Sequence, residues 1–383
     1  MCIRDSINTR GHWSTDDPGV PGPTEECEIL GSFDEAIRSL PQLEKLEAVE
    51  AKFAEECAED DGDIWSKSIA ETPDFREEIL KALFGALAKS VKVQSLTIKN
   101  LQDVMEEGVF ESEDFKTVRA RLKRLHLQIA TESCSAAPES DVDLAGNSGG
   151  FTIALPEYWL RPMTSQLTHL TLYGTRCLWG IWPFVDLREI PTFTRLQSLS
   201  LGNFTIAHDW QIDWIISHGA TLEELLLDDC PIITALSMNQ EQVDDNFPHL
   251  NLTSDPNDND TRPWEYRHLV EVSLRWHQVY DRFRAGLPHL RHFATGTGDW
   301  GWNGGKAFEQ CDDLKCITGD YQFFSYGSGP TSWVGPGYCF YFPQDDSDRE
   351  IEGPECEETD EQALKTLLEV VQQRANLELQ QQL

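Results

Sequence analysis

The chain has 383 residues, and its 66 Asp and Glu against 31 Lys and Arg give a formal charge of −35. This negative charge disfavours binding through phosphate neutralisation, so we expect neither a nucleic acid nor an anionic membrane as a partner. Hydrophobic residues make up 40% of the chain and 12 residues are Trp, so the charge belongs to a sequence that can bury a core rather than to a disordered one.

The N-terminal segment, residues 1–28, is predicted to be a disordered leader. It is rich in Pro, Gly and acidic residues and has no apolar run of signal-peptide length. No later stretch approaches the roughly 20 apolar residues of a membrane-spanning helix. The ten Cys include no Cys-x-x-Cys pair and no His at zinc-finger spacing, which is typical of reduced thiols. We therefore expect a cytoplasmic or nuclear location, without cofactor or metal. Glycosylation sequons at Asn203, Asn251 and Asn259 favour the secretory pathway only weakly.

Residues 29–343 are predicted to form an irregular leucine-rich-repeat solenoid. The segment Leu222–Ile232, LEELLLDDCPI, matches the pattern L-x-x-L-x-L-x-x-N/C-x-L at each fixed position. Partial matches predict parallel strands at 43–49, 93–99, 122–129, 167–173, 196–202, 222–228 and 269–275. A weaker match occurs at Leu287 and Leu290. Two spacings are too long for a single repeat, so we expect insertions near 131–165 and 239–266.

The segments between the predicted strands carry helix signals. Thr72-Pro73 fits an N-cap followed by Pro at the first helical position, and apolar residues recur every four positions from Phe75 to Leu87. Asp209 can cap a second helix that ends near Gly219, on which Trp210 and Trp214 share a face and favour the core. The predicted fold class is α/β, with a curved parallel sheet on the concave side of the solenoid and helices on its convex side.

The C-terminal part combines a charge run with a helix signal. Acidic residues dominate 344–360, which we interpret as an acidic linker; an acidic recruitment motif is the alternative. Thr359 and Gln362 fit a capping box ahead of apolar residues at helical spacing. Residues 361–383 are therefore predicted to form a capping helix, because the last unit of a repeat array would otherwise expose its core.

Four segments, Leu167–Leu172, Trp182–Leu187, Phe204–Pro231 and Leu287–Phe293, resemble the fungal F-box proteins with irregular leucine-rich repeats. The resemblance covers residues 30 to 375. It implies a protein–protein interaction scaffold that is the substrate-receptor region of a ubiquitin ligase, with a Skp-type adaptor and a cullin as further partners. An F-box itself is not found, because Leu40-Pro41 opens a repeat-like segment instead. We therefore expect adaptor binding only through an F-box encoded upstream.

Motifs of enzymes occur, but their context is weak. Gly296–Gly301 spells G-x-G-x-x-G, yet Trp300 and Trp302 would crowd a phosphate, so a loop is expected. His208 and His218 have no nucleophile motif beside them and are expected to cap helices and pack. Adjacent acids on a strand point to opposite faces, so surface carboxylates rather than a glycosidase pair are expected at Asp228/Asp229, Asp244/Asp245 and Asp312/Asp313. We predict that the chain is not an enzyme; a carbohydrate- or nucleotide-acting enzyme and a repeat scaffold without a ubiquitin role are the alternatives.

The partner-binding site is predicted on the concave strand face. By the period-two rule, residues that flank the inward leucines point outward. These residues are Arg124, His126, Gln128, His169, Thr171, Tyr173, Glu224, Asp228, Glu271 and Arg275. The stripe is basic and aromatic at its start and acidic further on, so a protein substrate with a basic patch opposite the acidic units would be complementary. A merely solvated sheet is the alternative.

Overall fold

A computed structural model describes residues 6–8, 35–55, 71, 73–131, 149–175, 178–238, 240–248, 268–296, 319–325, 329–332, 339–341 and 350–382. The chain divides into two compact units. The first unit comprises Met1–Glu132 and Ala145–Thr175, and the second comprises Ser133–Leu144 and Arg176–Leu383. Within the described ranges, no helix combines the length and the apolar character that crossing a membrane requires.

The first unit is a parallel sheet with helical connections. Its elements are β1 (Ser6–Asn8), β2 (Ala48–Lys52), α1 (Pro73–Lys89), β3 (Ser95–Gln102), α2 (Glu107–Phe110), α3 (Glu113–Arg119), β4 (Arg124–Ala130), the π-type helix α4 (Gly150–Leu160) and β5 (His169–Thr175). The strands lie side by side in chain order, and each pairing is parallel. Strand β1 lies within the predicted disordered leader, so that prediction is wrong for Ser6–Asn8. The rest of 1–28 lies outside the described residues.

The core of the first unit lies between the sheet and its helices. Strand register places Leu96, Leu125 and Leu170 side by side, and each is at most 2% exposed. On the helical side, the Phe115 and Trp159 rings meet edge to face with their centroids 4.9 Å apart. Because these side chains come from separate elements, no single strand or helix could bury its apolar face alone.

The second unit contains a parallel sheet and two further sheets. Its elements are β6 (Ser198–Gly202), α5 (Asp209–Ser217), β7 (Glu224–Asp228), β8 (Ile232–Met238), α6 (Gln240–Asn246), β9 (His268–Glu271), α7 (Trp276–Gly286), β10 (His292–Gly296), β11 (Tyr321–Ser325), β12 (Gly329–Ser332), β13 (Cys339–Tyr341), β14 (Glu350–Glu352) and α8 (Glu357–Gln382). Strands β6, β7 and β10 pair in parallel, β12-β11-β8-β9 form a mixed sheet, and β13 pairs with β14 antiparallel.

Five of the predicted parallel strands are confirmed, and the fold class is α/β. Strands β3 to β7 each begin two residues after the first Leu or Val of the repeat unit, because that residue lies in the turn before the strand. Leu199 pairs with Leu225 and Leu201 with Leu227, as the repeat pattern requires. The leucine spacing therefore predicted these strands correctly, and within each unit it also predicted their mutual register.

The predicted first unit, 43–49, is wrong in register by three residues. Val49 of β2, not Leu46, pairs with Leu96 of β3, and Leu43 is 40% exposed. Leu46, 3% exposed, takes the turn position before the strand. Apolar residues at 43, 46 and 49 have equal spacing, so local pattern alone cannot choose between the two alignments.

The predicted strand 269–275 is also wrong. Strand β9 pairs antiparallel with β8, and α7 begins at Trp276 directly after it. The parallel neighbour of β7 is instead β10, where Phe293 pairs with Leu225. The weak match at Leu287 and Leu290 thus indicated a real strand, β10. Its alignment is again offset by three residues, because Phe293 rather than Leu290 pairs with Leu225.

The predicted helices exist with shifted ends. Helix α1 begins at Pro73, as expected, and α5 begins at Asp209, with Gln211 Oε1 accepting the His208 backbone N–H at 2.9 Å. Helix α8 begins at Glu357, so Thr359 lies inside the helix rather than at its N-cap. Residues Glu350–Glu352, within the predicted linker, form β14. The described parts of the two predicted insertions contain α4 and α6.

We expect Gly219→Ala to destabilise the second unit. A Cβ at Gly219 would lie 2.2 Å from the Gly286 carbonyl oxygen, and backbone cannot yield as a flexible side chain can. Overpacking of this kind should lower the free energy of unfolding by about 1–3 kcal/mol. Urea denaturation measures this change. Gly85→Ala is the control, because its Cβ would meet the nearest atom at an ordinary 3.5 Å and alanine favours a helix interior. Equal free energies of unfolding for Gly219→Ala and Gly85→Ala would contradict the close packing of Gly219 against Gly286.

We expect Asp103→Asn to remove a pH dependence from the stability of the first unit. Burial raises the pKa of Asp103 from 3.8 to about 8, although its Oδ1 accepts the Phe151 N–H at 2.7 Å. Between these values the native state binds more protons than the unfolded state, so the free energy of unfolding falls as pH rises, by at most about 1.4 kcal/mol per pH unit. Denaturant unfolding at pH 5 and pH 8 should show this fall in the wild type but not in Asp103→Asn. The control Asp114→Asn, which changes an exposed residue of α3, should show the same fall as the wild type.

Candidate partner-binding site

The first residues of paired strands form a row in each unit, which we call the strand-start row. In the first unit, the row contains Ser95, Arg124 and His169, which are direct ladder partners. Arg124 is exposed, and its Nη2 lies 2.8 Å from His169 Nε2. This part of the predicted stripe points outward and is accessible.

The next predicted residues of the stripe are buried. The exposed fractions are 6% for His126, 6% for Gln128, 4% for Thr171 and 4% for Tyr173. The period-two rule holds, since the alternate residues Leu125, Leu127 and Ile129 line the opposite face. Nevertheless, both faces of the sheet are buried here, as is usual for parallel sheets in α/β proteins. These side chains offer a macromolecular partner almost no contact area in this conformation.

Burial also removes the expected basic character of His126. Desolvation lowers the pKa of His126 from 6.5 to about 3, with a further contribution from the charge of Lys99. Lys99 in turn lies 3.0 Å from Glu50 across β2 and β3. The imidazole is therefore neutral near pH 7 and adds no positive charge to the face.

In the second unit, the strand-start row contains Ser198, Glu224 and His292. Glu224 accepts a hydrogen bond from Ser198 Oγ at 2.6 Å, and its other carboxylate oxygen lies 2.6 Å from His292 Nδ1. This bond raises the pKa of His292 above 6.5 against the opposing effect of burial. The neighbouring Glu223 lies 3.3 Å from Arg291. Glu224 of the predicted acidic patch is thus already hydrogen-bonded within the protein, and Arg291 is shared between Glu223 and Glu378.

The remaining predicted residues do not join the parallel row. Asp228 lies on β7 but is 1% exposed. Glu271 lies on β9, in the mixed sheet, and Arg275 precedes α7. The Arg275 guanidinium donates to the Val272 and Leu274 carbonyls and lies over the Tyr321 ring. Their placement in the stripe is wrong because 269–275 is not a repeat strand.

Sequence reasoning missed three lysines beside Arg124. Lys45, Lys92 and Lys123 are exposed and precede β2, β3 and β4, whose first residues meet at one edge of the sheet. With Arg124, they define what we call the basic edge. Within the described part of the chain, none of these cations forms an ion pair. The available signal was a lysine near the start of three predicted strands of a strongly acidic chain: Lys45 within 43–49, Lys92 just before 93–99 and Lys123 within 122–129.

The enzyme-like motifs of the sequence do not form a catalytic site where the structure describes their residues. Burial lowers the pKa of His208 and of His218 to about 4, and each ring packs on a tryptophan of α5. Trp214 is 5% exposed, whereas Trp210 is only partly buried beneath the Arg188 guanidinium. Asp244 and Asp245 are exposed on α6. Gly296 ends β10, while the rest of Gly296–Gly301, Trp302 and Asp312/Asp313 lie outside the described residues.

Among the described residues, a single group of His, Cys and acidic side chains is close enough to hold a metal ion: His277, Cys356 and Asp360 of the second unit.

Comparison of the chain with protein-family models finds no match, and comparison with curated protein sequences finds none either.

We expect Glu224→Gln to lower the pKa of His292. The variant keeps a hydrogen-bonding side chain but removes the negative charge that stabilises the imidazolium. Titration of the His292 ring signals by NMR measures this change directly. Glu223→Gln is the control, because the Glu223 carboxylate pairs with Arg291. A His292 pKa that moved equally in both variants would contradict the assigned pair.

Proposed function

We propose that the chain is a protein–protein interaction scaffold that binds an acidic segment of its partner along the basic edge. The observation that supports this proposal is the basic edge itself, a set of exposed cations in a chain of net charge −35. Cations that form no ion pair with the described carboxylates of the chain contribute little to the stability of the fold. Their clustering at one edge of a sheet is therefore better suited to an external anion.

The spacing of the sheet suits an extended acidic segment. Neighbouring strands lie about 4.8 Å apart, so successive strand starts present cations at intervals that a chain of acidic side chains can match. Charge complementarity of this kind accelerates association and selects against wrong partners. The acidic half of the predicted stripe contributes less to partner binding, because Glu224 already pairs with His292 and Asp228 is buried.

We further propose that this scaffold is the substrate receptor of an F-box ubiquitin ligase built on irregular leucine-rich repeats. The resemblance of the repeat segments to fungal F-box proteins supports this proposal, and the in-register parallel strands are compatible with it. Adaptor and cullin would then bind through an F-box encoded upstream, while the repeats receive the protein substrate.

Removal of three of the four cations of the basic edge should strongly reduce substrate capture but leave adaptor binding intact. The test compares the wild type, extended by its upstream coding sequence, with Lys92/Lys123/Arg124→Gln. Proteins that co-purify with each are quantified by mass spectrometry. We expect at least a tenfold loss of acidic partners from the variant at physiological salt, because three charge contacts are removed, and an unchanged amount of Skp-type adaptor.

The control is Lys81/Lys89/Lys116→Gln, which removes the same number of charges from helices of the same unit. It should keep both adaptor and substrates. Loss of partners from both variants would contradict a specific role of the basic edge. Absence of the adaptor from every sample would contradict the ubiquitin-ligase role but leave the scaffold, and thermal stabilisation by a nucleotide that is lost in Gly298→Ala would favour an enzyme.

A further inference from the structure

Three elements of the second unit bring metal-binding side chains together. His277 is the second residue of α7, Cys356 directly precedes α8, and Asp360 lies in the first turn of α8. Their donor atoms all lie within 4.8 Å of one another. Tyr321, the first residue of β11, points its hydroxyl at the same place.

The distances describe a closed cluster. Asp360 Oδ1 lies 2.8 Å from His277 Nδ1, and Asp360 Oδ2 lies 3.2 Å from Cys356 Sγ. The Tyr321 hydroxyl lies 2.7 Å from Asp360 Oδ2 and 3.2 Å from Cys356 Sγ. In a tetrahedral zinc site with the usual bond lengths, N···O and S···O separations are about 3.3 and about 3.5 Å. The contacts of Asp360 therefore need to open by about half an ångström, while the donors of His277 and Cys356, which lie within 4.8 Å of each other, need to be about 3.6 Å apart.

We propose that His277, Cys356 and Asp360 bind a zinc ion, with the Tyr321 hydroxyl or a water as the fourth ligand. Imidazole nitrogen, thiolate and carboxylate are the donor types that zinc accepts in a single site. Binding releases the thiol proton of Cys356 and requires the Nδ1 lone pair of His277, so the Nε2 carries the imidazole proton. One thiolate and one carboxylate then neutralise the two charges of the ion.

The surroundings hold the ligands in place. Asp360 is 0% exposed, and its Oδ1 also accepts the backbone N–H of His277 at 2.8 Å. The Tyr321 hydroxyl accepts the backbone N–H of Trp276 at 2.8 Å. These bonds orient the donors, as the outer hydrogen bonds of known metal sites do. His277 and Cys356 are only partly buried, which leaves a path for the ion.

Positive charge near the proposed site opposes binding of a metal ion only moderately. Arg275 is the cation that acts on the Cys356 thiol, but its guanidinium donates to the carbonyls of Val272 and Leu274. The N-termini of α7 and α8 also disfavour a cation, and the carboxylate of Asp360, which accepts an N–H group of α7, offsets part of this effect. Without an ion, the same residues form a hydrogen-bonded link between α7 and α8. The experiment must therefore distinguish a metal site from a purely structural link.

The test uses the full chain, freed of metal with a chelator and titrated with Co²⁺ as a spectroscopic substitute for zinc. We expect the wild type to show a thiolate-to-cobalt charge-transfer band that zinc abolishes by displacement. Cys356→Ser should lose the part of the band that belongs to this site, and His277→Gln should bind at least tenfold more weakly. Zinc at a hundredfold excess over its Kd should raise the Tm of the wild type by about 5 °C and that of Cys356→Ser by much less.

Cys230→Ser and His289→Gln are the matched controls. Cys230 is a buried free thiol of the same unit, and His289 is an exposed histidine just after α7. Both variants should keep the wild-type band and the Tm increase. A charge-transfer band of equal intensity in the wild type and Cys356→Ser, or a wild type that binds no cobalt, would overturn the proposal and leave the structural link alone. Circular dichroism shows that each variant compared is folded.

Discussion

The in-register pairing of parallel strands is the constraint on which the rest of the structure depends. In the first unit it stacks Leu96, Leu125 and Leu170 on one face, and in the second it stacks Leu199, Leu225 and Phe293. A shift of one residue would turn each of these side chains away from the core. The same register brings the first residues of successive strands to a common edge, and the basic edge exists only for that reason.

Burial of both sheet faces restricts where each unit can meet a partner. An open concave face would have exposed His126, Thr171 and Tyr173, which are instead at most 6% exposed. At the sheet of the first unit, accessible charges are found at strand starts, where a long lysine or arginine can reach water while its backbone stays in the turn. In the second unit, the carboxylates of Glu223 and Glu224 already have partners in Arg291 and His292. Lys92, Lys123 and Arg124 therefore place exposed positive charges at the edge of the first unit, although the whole chain is strongly negative.

Helix ends provide the second organising feature. The first N–H groups of α7 have no acceptor within their own helix, and Asp360 and Tyr321 accept two of them. That requirement draws α8 and β11 to the start of α7 and places Cys356 beside His277. A group of oxygen, nitrogen and sulfur donors arises as a consequence. The zinc proposal therefore concerns a place where the packing of α7 against α8 already brings the donor atoms together.

Local pattern determined the α/β class, the parallel strands β3 to β7 and the helices α1, α5 and α8, because leucine spacing and helical periodicity are properties of short segments. It could not choose the register of β2 and β10, since apolar residues three apart fit two alignments equally well. Tertiary structure alone decided which face of a strand is accessible, which carboxylates are paired, and that His277 meets Asp360 across 83 residues of chain. These properties depend on contacts between distant segments, and no local spacing encodes them.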